Sequence, residues 1–262
     1  MTVTPVHTRR VSAGELSLND LLDESIDQLE AGTIVAITSK VVALCEGRVA
    51  DPEKIDKAEL IESEADRYLP RSSSRYNVSL TIKRGILIPS SGIDESNTGG
   101  VLVLWPEDPQ RSAELAWEHL AARFDVTGFG VLITDSTTAP LRMGVCGVPI
   151  AHAGFRAVND FIGTEDLFGR PLAMTQSNVA AGIAAAAVTV MGEAAEQTPI
   201  ATVSNLPFVE FQDRLPTPSE LESLTITPED DLYAPLLQPA AWRVGHRSTT
   251  ASRQTSSGTS SS

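Results

Sequence analysis

Residues 131–147 read VLITDSTTAPLRMGVCG, and the rest of the chain is arranged around them. The stretch opens on Val131, Leu132 and Ile133, an apolar and largely β-branched run. It then breaks at Thr134, Asp135, Ser136, Thr137 and Thr138, all oxygen-bearing. That pattern predicts a buried strand delivering a carboxylate and hydroxyls to its C-terminal end. A loop with Pro140, Arg142 and Gly144 follows. Oxygen donors of this kind suit hard cations such as magnesium, and arginine with backbone N–H groups suits phosphates. The plainer reading of the same residues is a strand that ends in a polar turn.

Upstream, residues 33–38, TIVAIT, predict a second short buried strand. It passes through Ser39 and Lys40 into a helix opened by residues 41–46. Such a junction sets backbone donors and an ammonium where an anion can sit, although the chain has no GxxxxGK[ST] and no GxGxxG. Earlier still, Ser17 reads as an N-cap, and Leu18, Leu21, Leu22, Ile26 and Leu29 recur at helical spacing until Gly32. Residues 51–69 read as one charged amphipathic helix. Residues 78–88 predict a hairpin turning at Lys83-Arg84-Gly85. The glycine-bounded loop 90–100, SSGIDESNTGG, offers Asp94, Glu95, Ser96 and Asn97. A strand at 101–105 and a helix at 112–124 follow.

Downstream, residues 148–151 predict a strand and 163–170, GTEDLFGR, a loop. Residues 178–191 are Ala-rich and predict a buried helix, with Gly182 allowing close packing. Gly192 ends it. Glu193 lies just past a helix C-terminus, where the dipole disfavours a carboxylate. It is therefore either a candidate for a compensating cation or an exposed surface glutamate. Residues 199–204 predict a last strand, 205–245 a wrapping tail, and 246–262, ending TSSGTSSS, a disordered segment. Residues 1–245 thus form one unit.

The chain has 262 residues, 42% of them apolar, enough for a real core. Lys plus Arg is 20 and Asp plus Glu is 34, a net charge of −14. That argues against a nucleic-acid partner. It does not forbid a nucleotide, because a bound metal reverses the local field. No apolar run reaches the ~20 residues of a membrane helix. The N-terminus has no apolar signal core, so a cytoplasmic, membrane-free protein is expected. Cys45 and Cys146 form no CxxC, and a disulfide is not expected. His152 reads as a core or dimer-contact histidine rather than a ligand.

Six stretches in order carry a resemblance: TSKVVALCEGR, GILIPSSGIDESN, LWPEDPQRSAE, VLITDSTTAPLRMGVCGVPI, GTEDLFGRPL and VMGEAAEQTPI. Together, over residues 33–204, the chain resembles the coenzyme F-420:L-glutamate ligase family, the γ-glutamyl ligases of deazaflavin cofactor synthesis. The resemblance implies a mixed α/β fold in two lobes and an intertwined homodimer. It also implies GTP-dependent (or ATP-dependent) addition of L-glutamate to a small-molecule acceptor, with Mg²⁺ or Mn²⁺. It places Asp94 and Asp135 on the metal aspartates, Ser136 at a second-metal hydroxyl and Glu193 at another metal ligand. It places Ser39, Lys40, Asn97 and the segment 191–198, with Met191, Gly192, Glu193 and Thr198, on nucleotide contacts. Lys40 and Arg142 would supply positive charge to the chemistry. The N-terminal contact aligns loosely near residues 8–11 and stays outside that set.

The departures fall on phosphate and substrate handling. Leu44 stands where the family has a lysine, Thr138-Ala139 where it has Gly-Arg, and Ala181-Gly182 where it has an acidic pair. These make the chain similar to a side branch described as γ-glutamate ligases of folate metabolism, so the acceptor is expected to be F-420-0-like or folate-like. Two rival readings remain: a non-catalytic nucleotide- or metal-binding homologue, and a metal-dependent phosphohydrolase. Clustered Asp94, Asp135 and Glu193 count against a lapsed site.

Overall fold

The structure, a computed structural model, describes residues 1–246. The expectation for the tail falls, apart from His246, outside those residues. In chain order, β1 (Thr2–Val6) leads to α1 (Leu18–Ser25), β2 (Ile34–Thr38), α2 (Ser39–Cys45), β3 (Val49–Ala50) and α3 (Lys57–Glu64). Then come β4 (Arg67–Leu69), β5 (Leu80–Lys83), β6 (Ile86–Pro89), β7 (Leu102–Val103) and α4 (Pro109–Phe124). The long pair β8 (Gly130–Thr138) and β9 (Val145–Ala153) precedes β10 (Val158–Asp160), β11 (Gln176–Asn178), α5 (Val179–Met191) and β12 (Ile200–Ser204). The chain closes with α6 (Pro218–Glu222), α7 (Ala234–Leu237) and β13 (Arg243–Val244).

The main sheet has the order β1-β12-β2-β8-β9, with β2 and β8 parallel and the other pairs antiparallel. Because side chains alternate along a strand, β2 and β8 serve two cores. Val35, Ile37, Val131 and Ile133 pack with α1, α2 and α4 on one face. Ile34, Ala36 and Leu132 pack with α5 on the other. This double burial explains why both strands read as unbroken apolar runs. The small sheet, β13-β4-β5-β6, sits beside α3. Its hairpin turns at Arg84 and Gly85, both at positive φ, as a tight two-residue turn requires. No helix among the described residues is long and apolar enough to cross a membrane.

Several expected boundaries shift, each for a local reason. The first helix stops at Ser25, because Arg123 of α4 takes the carbonyls of Leu22 and Asp23 at 3.0 and 2.9 Å. Ile26 and Leu29 stay buried, but in extended chain. The single helix expected over 51–69 is only α3. Asp56 caps its N-terminus, and Ala65 leaves the helix so that β4 can pair with β5. The strand expected at 101–105 shrinks to β7, since only Leu102 and Val103 find partners. The helix at 112–124 begins earlier, at Pro109 behind an Asp108 cap, and the strand at 148–151 extends to all of β9. The close packing expected at Gly182 is absent, since nothing approaches it. It occurs instead at Gly147 of β9, where a Cβ would meet the backbone of Ala184 and the Val188 side chain at 2.7 Å.

Candidate functional site

Thr38 ends β2 and Ser39 begins α2 without a side-chain cap. This junction brings Lys40 to the C-terminal edge of the parallel pair. β8 carries a bulge between Ile133 and Thr134, which bends the strand where it passes from core to surface. Beyond it stand Asp135 and Ser136, both half-buried. Asp94 is fixed on the facing side by reciprocal backbone bonds with Val103, at 3.0 and 2.8 Å. Gly192, at positive φ, ends α5 and turns the chain so that Glu193 faces Ser136.

These elements enclose a cleft of about 510 Å³. Of the expected residues, Lys40, Asp94, Asn97, Asp135, Ser136, Met191, Gly192, Glu193 and Thr198 line it. Two do not. Ser39 is buried beneath the cleft rather than on its wall. Arg142 sits at the exposed β8–β9 turn, bonded among the described residues to neighbouring backbone alone. The order of the sequence suggested that Asp135 and Arg142 act together; the strand carries its tip away from its own cleft.

The contacts divide the acids into two pairs. Lys40 Nζ lies 2.6 Å from Asp94 Oδ2, and Ser96 donates its N–H and hydroxyl to Oδ1 at 2.7 and 2.8 Å. Burial raises the Asp94 pKa, but Lys40 and Ser96 outweigh it and hold the carboxyl below its usual range. Among the described residues Asp135 has no salt-bridge partner. Its Oδ2 accepts from the Trp105 indole N–H, and its Oδ1 from the backbone N–H of Ser136 at 2.8 Å. Burial pushes its pKa up to about 6, with nearby Asp94 adding to the rise and the two hydrogen bonds and Lys40 opposing it. Ser136 Oγ donates to Glu193 Oε1 at 2.8 Å. On the far wall Asn97 Nδ2 donates to the Ala194 carbonyl at 2.7 Å, and Thr198 Oγ1 to the Met191 carbonyl at 2.7 Å.

Among the described residues no three His, Cys, Asp or Glu side chains converge as a ready-made metal cage. Magnesium does not need one, because it is held by one or two carboxylates plus waters and substrate phosphates. Hard oxygen donors with an under-compensated buried acid fit such an ion. The sequence reading missed Trp105, whose buried N–H requires an acceptor. Thr8, Arg9, Arg10 and Val11, where the resemblance aligns an N-terminal contact only loosely, also line the cleft. Thr8 and Gln197 exchange hydrogen bonds that clasp this N-terminal arm to the α5–β12 loop. Leu44, the departure from a basic residue, lines the cleft as an almost fully buried apolar side chain. His152 is buried against Phe155, as expected of a core residue, and both cysteines are free.

A family model described as F420-0:Gamma-glutamyl ligase matches residues 6–205. The chain is 31% identical over 242 residues to the coenzyme F420:L-glutamate ligase of Methanopyrus kandleri, covering 86% of this chain and 94% of that protein. It is 30% identical over 215 residues to the enzyme of the same name from Methanocaldococcus jannaschii, covering 74% and 84%. With that of Methanothermobacter thermautotrophicus it shares 33% over 207 residues, covering 71% and 80%.

Proposed function

Since this chain belongs to the F420-0:gamma-glutamyl ligase family and is a ligase, we propose that it joins L-glutamate to an acceptor carboxylate through an acyl phosphate, at the cost of GTP or ATP. The acceptor is F420-0-like or folate-like. The observation that carries the reading is the cleft itself, with Asp94, Asp135 and the Ser136–Glu193 pair around one ammonium, Lys40.

Amide formation from a free carboxylate in water is uphill, so the acid must first be activated. An acceptor carboxylate oxygen attacks the γ-phosphorus, and the bond to the β–γ bridging oxygen breaks. The glutamate amine then attacks the acyl carbon and inorganic phosphate leaves. Mg²⁺ or Mn²⁺ held by Asp94 and Asp135, with Ser136 and Glu193 at a second position, would neutralise phosphate charge and align the transfer. Lys40, released from Asp94, meets the phosphates, while Asn97 and residues 191–198 form the nucleotide wall. No protein nucleophile is needed.

The working unit is a homodimer. Leu141, Met143, Leu167 and Phe168 are 97%, 96%, 99% and 88% exposed, and apolar residues left so open in the β8–β9 turn and the 163–170 loop call for a partner surface. Arg142 stands between two of them, so its cationic role belongs to the dimer, where the tip meets the second copy.

The test is mass spectrometry of reactions with nucleotide, Mg²⁺ and isotope-labelled L-glutamate, with a deazaflavin precursor or a folate monoglutamate as acceptor. A labelled γ-glutamyl product supports the reading. Nucleotide hydrolysis that ignores L-glutamate would replace it with the phosphohydrolase, and no turnover with either acceptor would favour the non-catalytic homologue.

A further inference from the structure

Trp105 is among the largest side chains in the molecule that solvent barely reaches. It lies on the short link between β7 and α4, and its surroundings come from two parts of the fold. Gly92, at positive φ, leaves room for the ring: a Cβ there would overlap the indole nitrogen and lie 2.7 Å from Cε2. The Lys83 ammonium sits 5.2 Å from the ring centroid. Lys83 is itself tied to Glu64 at 2.8 Å and to the Ser91 carbonyl at 3.3 Å. All these constraints come from the small sheet and the segments beside it. The indole N–H, however, donates to Asp135 Oδ2 on the main sheet.

A phenyl ring would fill much of this space, so volume alone does not account for a tryptophan. The N–H does something volume cannot. A carboxylate has about four acceptor positions. In Asp135 one on each oxygen is taken, by Trp105 and by the Ser136 backbone. With both oxygens tethered the carboxylate cannot spin about its last bond, and its remaining lone pairs keep fixed directions. Partners in the outer shell of a metal site commonly set affinity in this way.

We propose that Trp105 is a positioning residue, which locks Asp135 in the one orientation that binds the divalent cation and transmits the placement of the small sheet to the cleft. This deepens the ligase reading and rests on its metal assignment. Two readouts test it without turnover. The first is Mn²⁺ binding, followed by the electron paramagnetic resonance signal of the free ion, in wild type, Asp135→Asn and Trp105→Phe. The second is the indole ¹H–¹⁵N spectrum of the wild type during a Mg²⁺ titration. The chain has three tryptophans, and Trp117→Phe and Trp242→Phe assign the Trp105 cross-peak by elimination.

The expected result is that Trp105→Phe binds Mn²⁺ roughly 10- to 100-fold more weakly. The Trp105 cross-peak should also move most of the three. Ile88→Val, a core change in the small sheet, should lower the melting temperature and leave Mn²⁺ affinity within about twofold. Wild-type affinity in Trp105→Phe, alongside a clear loss in Asp135→Asn, would overturn this proposal and leave the metal assignment standing. Equal binding by wild type and Asp135→Asn would overturn both. If Trp105→Phe fails to fold, a Trp105 cross-peak unmoved at saturating Mg²⁺ overturns the proposal by itself.

Discussion

Two carboxylate–ammonium pairs in this chain have similar geometry and opposite surroundings. Lys83 and Glu64 lie 2.8 Å apart beside the small sheet, and Lys40 and Asp94 lie 2.6 Å apart in the cleft. In the first group Arg48 also grips Glu64 at 2.7 Å, so two cations answer one half-buried acid. Burial alone would raise the Glu64 pKa, but Lys83 and Arg48 hold it down. In the second group Lys40 pairs with Asp94, while among the described residues neither Asp135 nor Glu193 has a salt-bridge partner. Glu64 is gripped by cations of the fold itself, whereas Asp135, on the proposed reading, takes its compensating charge from a bound cation.

The contrast should be sharpest when one acid is removed from each group. Asp135→Asn is expected to cost about a thousandfold in kcat/KM, the scale of losing several kcal/mol of metal stabilisation. The melting temperature without metal should not fall. Steady-state kinetics beside calorimetry would show it, and normal turnover at low Mg²⁺ would remove Asp135 from the site.

Glu64→Gln should do the reverse. Removing one partner from a buried ion pair costs on the order of 3 kcal/mol, or about 6–12 °C for a domain of this size. Turnover measured well below the melting point should stay close to wild type. A Glu64→Gln protein that is stable but inactive would erase the distinction.

Half of this contrast was legible in the sequence. Asp135 announces itself as a carboxylate where an apolar run breaks, and Glu193 as an acid at the wrong end of a helix, while Asp94 by itself reads as an ordinary turn residue and enters only through the family motif. The family motifs then bring all three to one site. Glu64 and Lys83 were invisible for a physical reason. The helical spacing of 51–69 hides the break at Ala65, and only that break lets β4 pair with β5 and bring Lys83 over Glu64. Trp105 was readable only as an apolar residue, because the acceptor of its N–H lies 30 positions away. Arg142 took its place in the site from the family resemblance, and in the single chain a nine-residue strand leads to a turn outside the cleft.

A third buried ionisable group, outside both clusters, extends the comparison. Burial pushes the His152 pKa down to about 4, with Glu220 opposing weakly. The unfolded chain takes up a proton near pH 6.5 that the folded chain refuses until about pH 4. Stability is therefore whole above pH 6.5 and falls as the pH drops towards 4, by roughly 3 kcal/mol. Melting curves from pH 7 to 4 should flatten over that window in His152→Leu. An unchanged slope would assign the acid loss to other groups.

The smallest effect is expected at the rim. Lys57 and Glu95 pair at 3.0 Å, with side chains 35% and 64% exposed. Surface pairs of this kind contribute about 0–1 kcal/mol, so Lys57→Ala should leave both melting temperature and turnover within experimental scatter. A clear drop in either would mean that the 90–100 loop depends on this contact to hold Asp94.

Whether Asp94 and Asp135 hold a divalent cation is read from the melting temperature of wild type and of Asp94→Asn/Asp135→Asn, each with and without saturating Mg²⁺. A ligand that binds only the folded state at a hundred times its dissociation constant stabilises by about 2.7 kcal/mol. A rise of several degrees is expected in wild type. The double variant should start somewhat lower, because it loses the Lys40–Asp94 pair, and gain nothing from Mg²⁺. An equal Mg²⁺ shift in both proteins, or none in the wild type, would contradict the metal assignment.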